Sequence, residues 1–320
     1  MTTPGILHPI ISAPMGFLAG GRLAAAVSQS GGLGLIGGGY GDGEWLDREF
    51  TEAGNARVGC GFVTWALAKQ PDLLELVLAR SPTALMVSFG AVGPFGARVR
   101  ESGVPLICQV QSVAHARAAV DAGATVVVAQ GGEAGGHSGR RSTFTLVPEV
   151  ADFLATAAPS TPLVAAGGIA DGRGLAAALM LGADGVLIGS RFVASSEALT
   201  PPKFCDAIVA ADGDATIRTT VIDVVRNFAW PDEFSIRALK TRFVTDWHGR
   251  EELLAETATN AVENARYWKA FHSGDVDNTG VLVGEAAGLI RDVLPAGRIV
   301  ENIVAEAELL LKRSSARNYT

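Results

Sequence analysis

Residues 163–190, LVAAGGIADGRGLAAALMLGADGVLIGS, decide how the chain is read. The stretch opens on a short apolar run that ends in two glycines. Asp171 then stands where a helix N-cap belongs, ahead of the alanine- and leucine-rich run that ends at Gly182. A second apolar run, GVLIGS, follows at 185–190. Apolar strand, capped helix, apolar strand is the pattern of a parallel βαβ unit buried on both faces.

The unit repeats upstream. Apolar runs recur at 9–15, 33–38, 58–63, 84–90, 104–110 and 125–131, which with 163–168 and 185–190 makes eight strands. Helical segments lie between them, including PDLLELVLARSP, with Pro71 suited to a first turn, and SVAHARAAVDAG, with Ser112 as N-cap. An open doubly wound sheet shows the same alternation. Eight consecutive units, with glycines gathered where strands run into the following loops, predict a closed (β/α)8 TIM barrel whose site lies at that rim.

Composition agrees with a large folded core. The chain has 320 residues, 48% of them hydrophobic and 18% charged, with a formal net charge of -7. No apolar run reaches the roughly 18–20 residues of a membrane span, and the opening MTTPGILHPII lacks the basic-then-apolar pattern of a secretory signal. A cytoplasmic protein that binds neither membrane nor nucleic acid is expected. Cys60, Cys108 and Cys205 are too few and too scattered for a disulfide framework, and no metal-ligand spacing occurs.

Most of the 39 glycines precede residue 200, whereas three of the five tryptophans, Trp230, Trp247 and Trp268, follow it. Three regions are therefore expected: a barrel over 1–200, a mostly helical substrate or lid domain over 201–280, and a returning helix with a tail over 281–320. Within the last, Ile299, Ile303, Val304, Ala307 and Leu310 share one helical face. Phe228, Trp230 and Trp247 are candidates to line a pocket from the middle region.

Two strand ends suggest a ligand. Gly167, Gly168, Gly189 and Ser190 follow the last two strands, where barrel loops commonly cradle a phosphate with backbone N–H groups. The densest glycine cluster, QGGEAGGHSGRR at 130–141, leaves the strand TVVVAQ directly and sets Glu133 and His137 among five glycines. Backbone this free of side chains lets another group come close. Glu133 is read either as an acid orienting the loop through backbone N–H groups or as a solvated residue. Arg140 and Arg141 read more readily as a solvated pair than as an anion site.

On the segments HPIISAPM, GGLGLIGG, VSFG, QVQS, VVVAQGGEAGGHSG and VAAGGIADGRGLAAALMLGADGVLIGSRF, and more faintly TIRTTVIDVVRNFAWP, the chain resembles the nitronate monooxygenases, FMN-dependent barrel enzymes once called 2-nitropropane dioxygenases. The resemblance implies that the backbone of Ala13, Pro14 and Met15 lies against the isoalloxazine. It implies that Gln109, Gln130, Gly135 and Gly136 contact FMN, and that Gly167, Gly168, Leu187, Ile188, Gly189 and Ser190 receive its phosphate. His137 becomes the catalytic residue. Gly61 stands where many members carry asparagine, so only its backbone is available to the flavin. The implied reaction oxidises a small nitronate or nitroalkane with dioxygen, by one-electron steps at the flavin, to a carbonyl compound and nitrite, in a protein that the likeness allows to be a homodimer. Two other readings stay open: an NAD(P)H-dependent enoyl or quinone reductase on the same scaffold, and a non-catalytic flavin-binding barrel.

Overall fold

A computed structural model describes residues 6–315. Eight parallel strands close into a barrel: β1 (Ile10–Ser12), β2 (Leu33–Gly39), β3 (Gly59–Val63), β4 (Leu85–Ser88), β5 (Leu106–Val110), β6 (Val126–Gln130), β8 (Leu163–Ala166) and β9 (Gly185–Ile188). The seam is the pairing of Ile10, Ile11 and Ser12 with Val186, Leu187 and Ile188. All eight strands expected from the apolar runs are present, and the barrel rather than the open sheet is the arrangement formed.

Both faces of each strand are apolar because each is covered. Ile11, Leu35, Met86, Ile107, Val128, Val164 and Leu187 fill the barrel interior. Their neighbours Ile10, Ile36, Leu85, Cys108, Val127 and Val186 pack outward against the helices. Cys60 and Cys108 belong to this outer layer, and burial pushes both thiols up to about 12, so they pack as small apolar groups. The expected caps form: Ser112 accepts a hydrogen bond from the His115 amide at 3.1 Å, and Asp171 accepts from Arg173 and Gly174 at 3.0 and 3.2 Å.

The helix Ala296–Ser315 returns to the barrel and packs on the helix Gly172–Met180. Its buried face is made by Ile299, Val300, Ile303 and Ala307. Among the described residues, no helix is long and apolar enough to cross a membrane.

Three further strands depart from the sequence reading. β7 (Gly136–Ser138), β10 (Thr216–Thr219) and β11 (Ser235–Leu239) form an antiparallel sheet in the order β10-β11-β7. The segment 201–280 thus contains a strand pair as well as helices, with its own core of Val221, Ile222, Val225, Ile236, Phe243, Leu254 and Tyr267. Strands of three to five residues show too few alternations to be read from pattern, and GHS looks like loop until a partner strand lies beside it. β11 supplies that partner, pairing Ile236 with His137.

The close contact between the returning helix and residue 172 is testable. A Cβ on Gly172 would stand 2.5 Å from the Ala307 amide nitrogen and 2.7 Å from the Ile303 carbonyl oxygen. Gly172→Ala should therefore force the two helices apart and destabilise the fold by about 1–3 kcal/mol, read as a lower Tm in calorimetry.

Candidate functional site

The strand C-termini open into a cavity of about 1210 Å3, open mouth included, of the concave kind that small-molecule sites occupy. One side is nearly all backbone: Ala13, Pro14 and Met15 after β1, Gly61 in β3, Gly167 and Gly168 after β8, and Gly189 and Ser190 after β9. Gly167 and Gly168 both have positive φ, at 101° and 73°, a conformation that side chains disfavour. At Gly61 the constraint is contact: a Cβ would lie 2.3 Å from Cγ of Pro14. Glycine at this position is what lets Pro14 pack over β3.

The expected residues come together with one exception. Leu187, Gln109, Gln130, Gly135, Gly136 and His137 all line the cavity. Ile188 does not: its side chain faces the outer helices, and its carbonyl accepts a hydrogen bond from the Ala13 amide at 2.9 Å. The Gln109 side chain is buried and has no hydrogen-bond partner among the described residues. Gln130 is engaged at both ends, accepting from Gln111 and donating to the His137 carbonyl, each at 3.0 Å. Ser190 accepts from the Gly284 amide at 2.9 Å, which ties the β9 loop to the returning chain.

Glu133 takes the loop-orienting role. Its carboxylate accepts from the Thr143 amide and hydroxyl at 2.9 Å, fixing the glycine loop to the start of the helix Thr143–Ala157. Arg141 pairs with Glu149 on the surface. Of the three aromatics nominated from the sequence, Trp230 lines the cavity. Phe228 instead stacks behind Tyr40 with ring centroids 4.1 Å apart, and Trp247 packs in the appended core under Arg250.

His137 is held on three sides. β7 fixes its backbone against β11. Its Nε2 lies 2.9 Å from both carboxylate oxygens of Asp223, in the helix Val221–Arg226. Its ring lies flat on Trp230, with centroids 3.3 Å apart and planes 8° apart, and Trp230 in turn donates to the Tyr40 hydroxyl at 3.2 Å. An ionised carboxylate only accepts, so the neutral imidazole carries its proton on Nε2 and leaves Nδ1 as the acceptor. Nδ1 has no protein partner among the described residues, and the ring borders the cavity. Burial lowers the His137 pKa below its ordinary value, aided by Arg226 and Arg218 and opposed by Asp223.

Asp223, Arg226 and Tyr40 were not nominated from the sequence. The first two sit in TIRTTVIDVVRNFAWP, whose faint family likeness was the available signal. Nothing in that segment's pattern says that its acid reaches a histidine 86 residues away.

Comparison with known proteins agrees with this architecture. A family model described as nitronate monooxygenase matches residues 2–75 and 63–306, so the chain belongs to that family. It is 32% identical to a nitronate monooxygenase of Neurospora crassa, over 96% of this chain and 91% of the relative. It is 30% identical to a Mycobacterium tuberculosis (3aS,4S,5R,7aS)-5-hydroxy-7a-methyl-1-oxo-octahydro-1H-indene-4-carboxyl-CoA dehydrogenase, over 98% and 96%. The solved structure of FabK from Thermotoga maritima superposes with a TM-score of 0.84 at 31% identity, covering 97% of this chain and 96% of that one. The chain is thus a flavin-type barrel oxidoreductase related to both monooxygenases and dehydrogenases.

The depressed His137 pKa sets a pH dependence of stability. In the unfolded chain His137 titrates near 6.5, and in the fold it titrates lower. Between those values the unfolded state binds the extra proton, so the stability that neutral His137 contributes is present above about 6.5 and is lost as pH falls below it. Histidine Cε1–H resonances followed against pH should show His137 titrating below about 6.5, its signal being assigned by its loss in the His137→Gln variant.

Proposed function

We propose that the protein is an FMN-dependent nitronate monooxygenase, acting on small alkyl nitronates and nitroalkanes with dioxygen to give a carbonyl compound and nitrite. The observation that carries this reading is the His137–Asp223 pair, which presents a neutral Nδ1 at the side of a glycine-walled cavity.

The residues present fit FMN. Adding a Cβ at Gly61 or Gly167 would meet Pro14 or the Gly131 carbonyl, so the cavity wall is backbone brought as close as packing permits. The loops holding Gly167, Gly168, Gly189 and Ser190 would take the phosphate, as barrel loops after the last two strands do. The open amide of Gln109 and the backbone at Ala13–Met15 would meet the ribityl chain and the ring. FMN when bound supplies the electron-accepting and oxygen-handling chemistry.

The chain's own residues supply position and proton transfer. With a neutral nitroalkane, His137 Nδ1 removes the α-proton, while Asp223 holds the tautomer and stabilises the imidazolium that results. With a nitronate already formed, no proton need be removed and His137 acts as a hydrogen-bonding wall. Trp230 fixes the ring plane, and Tyr40, Phe89 and Trp230 keep that side of the cavity apolar. The segment 201–280 serves as the lid that carries Asp223 and Trp230 to the barrel rim.

The similarity to FabK and to the carboxyl-CoA dehydrogenase favours a second reading, an NAD(P)H-linked reductase on this scaffold. Anaerobic mixing of the flavin-loaded protein separates the two. Rapid loss of visible flavin absorbance with propyl-1-nitronate, and none with NADH or NADPH, is the result expected; bleaching by the nicotinamide alone would replace the proposal with the reductase. His137→Ala should lower turnover of 1-nitropropane by roughly 10²–10⁴-fold and of its nitronate far less. Asp223→Asn should follow the same split with a smaller loss, because the base remains but its tautomer is no longer enforced.

A further inference from the structure

Arg226 ends the helix that carries Asp223 and borders the same cavity as His137. It is only 6% exposed, yet among the described residues no hydrogen bond or ion pair engages its guanidinium. The guanidinium groups of buried Arg191 and half-buried Arg218 are occupied. Arg191 binds Asp292 and the Ala194 carbonyl, and Arg218 binds Ser138, Ser235 and the Gly132 carbonyl. Asp223, one turn before Arg226, commits both oxygens to His137.

What holds Arg226 is aromatic. Its guanidinium carbon lies 5.0, 5.1 and 5.6 Å from the ring centroids of Tyr267, Trp268 and Phe271. Such contacts act on the face of the guanidinium group and leave its N–H edge free. A buried charge without a counter-charge is costly, and it persists where a ligand completes it.

The polar atoms around Arg226 are short of partners too. Five buried side-chain polar atoms lack partners among the described residues: Trp65 Nε1, Thr200 Oγ1, Arg226 Nε, Tyr267 Oη and Thr279 Oγ1. Four of these belong to one neighbourhood. Thr200 and Arg226 line a single narrow recess beside the main cavity, and Gly280, which follows Thr279, lines it too. A Cβ on Gly280 would lie 3.2 Å from the Tyr267 hydroxyl. Of these four residues Arg226 alone also borders the main cavity, so a group bound there would meet the guanidinium as its charged partner.

We propose that Arg226 is the anion-binding residue of the cavity, its free guanidinium edge receiving a planar two-oxygen anion, nitronate or carboxylate, borne by the substrate. The fork of N–H donors matches the two oxygens of either group. The inference rests on the cavity being the substrate site of the proposed enzyme, and its test does not require turnover.

The test uses the flavin-loaded protein and an isosteric pair of probes, propionate and propionamide, titrated against tryptophan fluorescence and the flavin spectrum. Wild type should bind propionate at least about tenfold more tightly than propionamide. Arg226→Met should weaken propionate by roughly 10- to 100-fold, leave propionamide unchanged and keep its flavin, with partial recovery in Arg226→Lys. A parallel rise in KM for propyl-1-nitronate would show that the guanidinium takes the nitronate itself; an unchanged KM would assign it to a carboxylate elsewhere on the substrate. Equal binding of the two probes by wild type would overturn the proposal whatever the variants do. Loss of flavin from a folded Arg226→Met would overturn it as well, by giving the guanidinium to the cofactor. Tight propionate binding without nitronate oxidation would sink the monooxygenase reading and leave the anion site standing.

Discussion

The antiparallel pairing of β7 with β11 is the contact on which the site depends. It joins a three-residue strand in the glycine loop after β6 to a strand nearly a hundred residues later, and its register sets Ile236 opposite His137. Arg218 reinforces the junction by donating to the Ser138 carbonyl and hydroxyl, to Ser235 and to the Gly132 carbonyl. Without this sheet the barrel would still close through its own ladder. The histidine, however, would belong to a loop with no fixed orientation toward either Asp223 or Trp230.

The electrostatics of the wall follow from burial. His137 and Asp223 are both removed from water, and desolvation favours the neutral imidazole even though a carboxylate touches it. Arg226, on the same helix as Asp223, adds a positive field that acts in the same direction as desolvation. The Tyr40 hydroxyl, raised by burial, stays protonated and accepts from Trp230. One short helix thus carries a carboxylate and a guanidinium cation to the site, and the carboxylate is committed to the histidine while the cation has no ion pair among the described residues.

Much of this molecule is legible because parallel strands and capped helices repeat a local code. Asp171 and Ser112 cap their helices where their position relative to the apolar runs says they should, since capping is settled within one turn of chain. The glycines at 167, 168 and 189 mark the ligand end of the barrel for the same reason: backbone exposure is written locally. Ile188 shows the limit, because a residue beside the cavity-lining Leu187 and Gly189 still turns its side chain outward when the strand's two-residue period requires it. Phe228 and Trp247 show another, since an aromatic in an unpatterned segment does not state which core it enters.

By itself the sequence determined the eight-stranded barrel, the helix that returns to it, the glycine-built ligand face and the histidine within it, all of which rest on periodicity, capping and residue size over short stretches. Only the tertiary structure decided that His137 meets Asp223 and Trp230, that Gly61 is needed by Pro14, and that Arg226 is buried on aromatic rings with no hydrogen-bonding or ionic partner among the described residues. These are meetings between residues 47 to 93 positions apart in the chain, or the lack of one, and they depend on how separate packed layers come to rest against each other. No local pattern records such a distance, because the free energy that sets it belongs to the whole core.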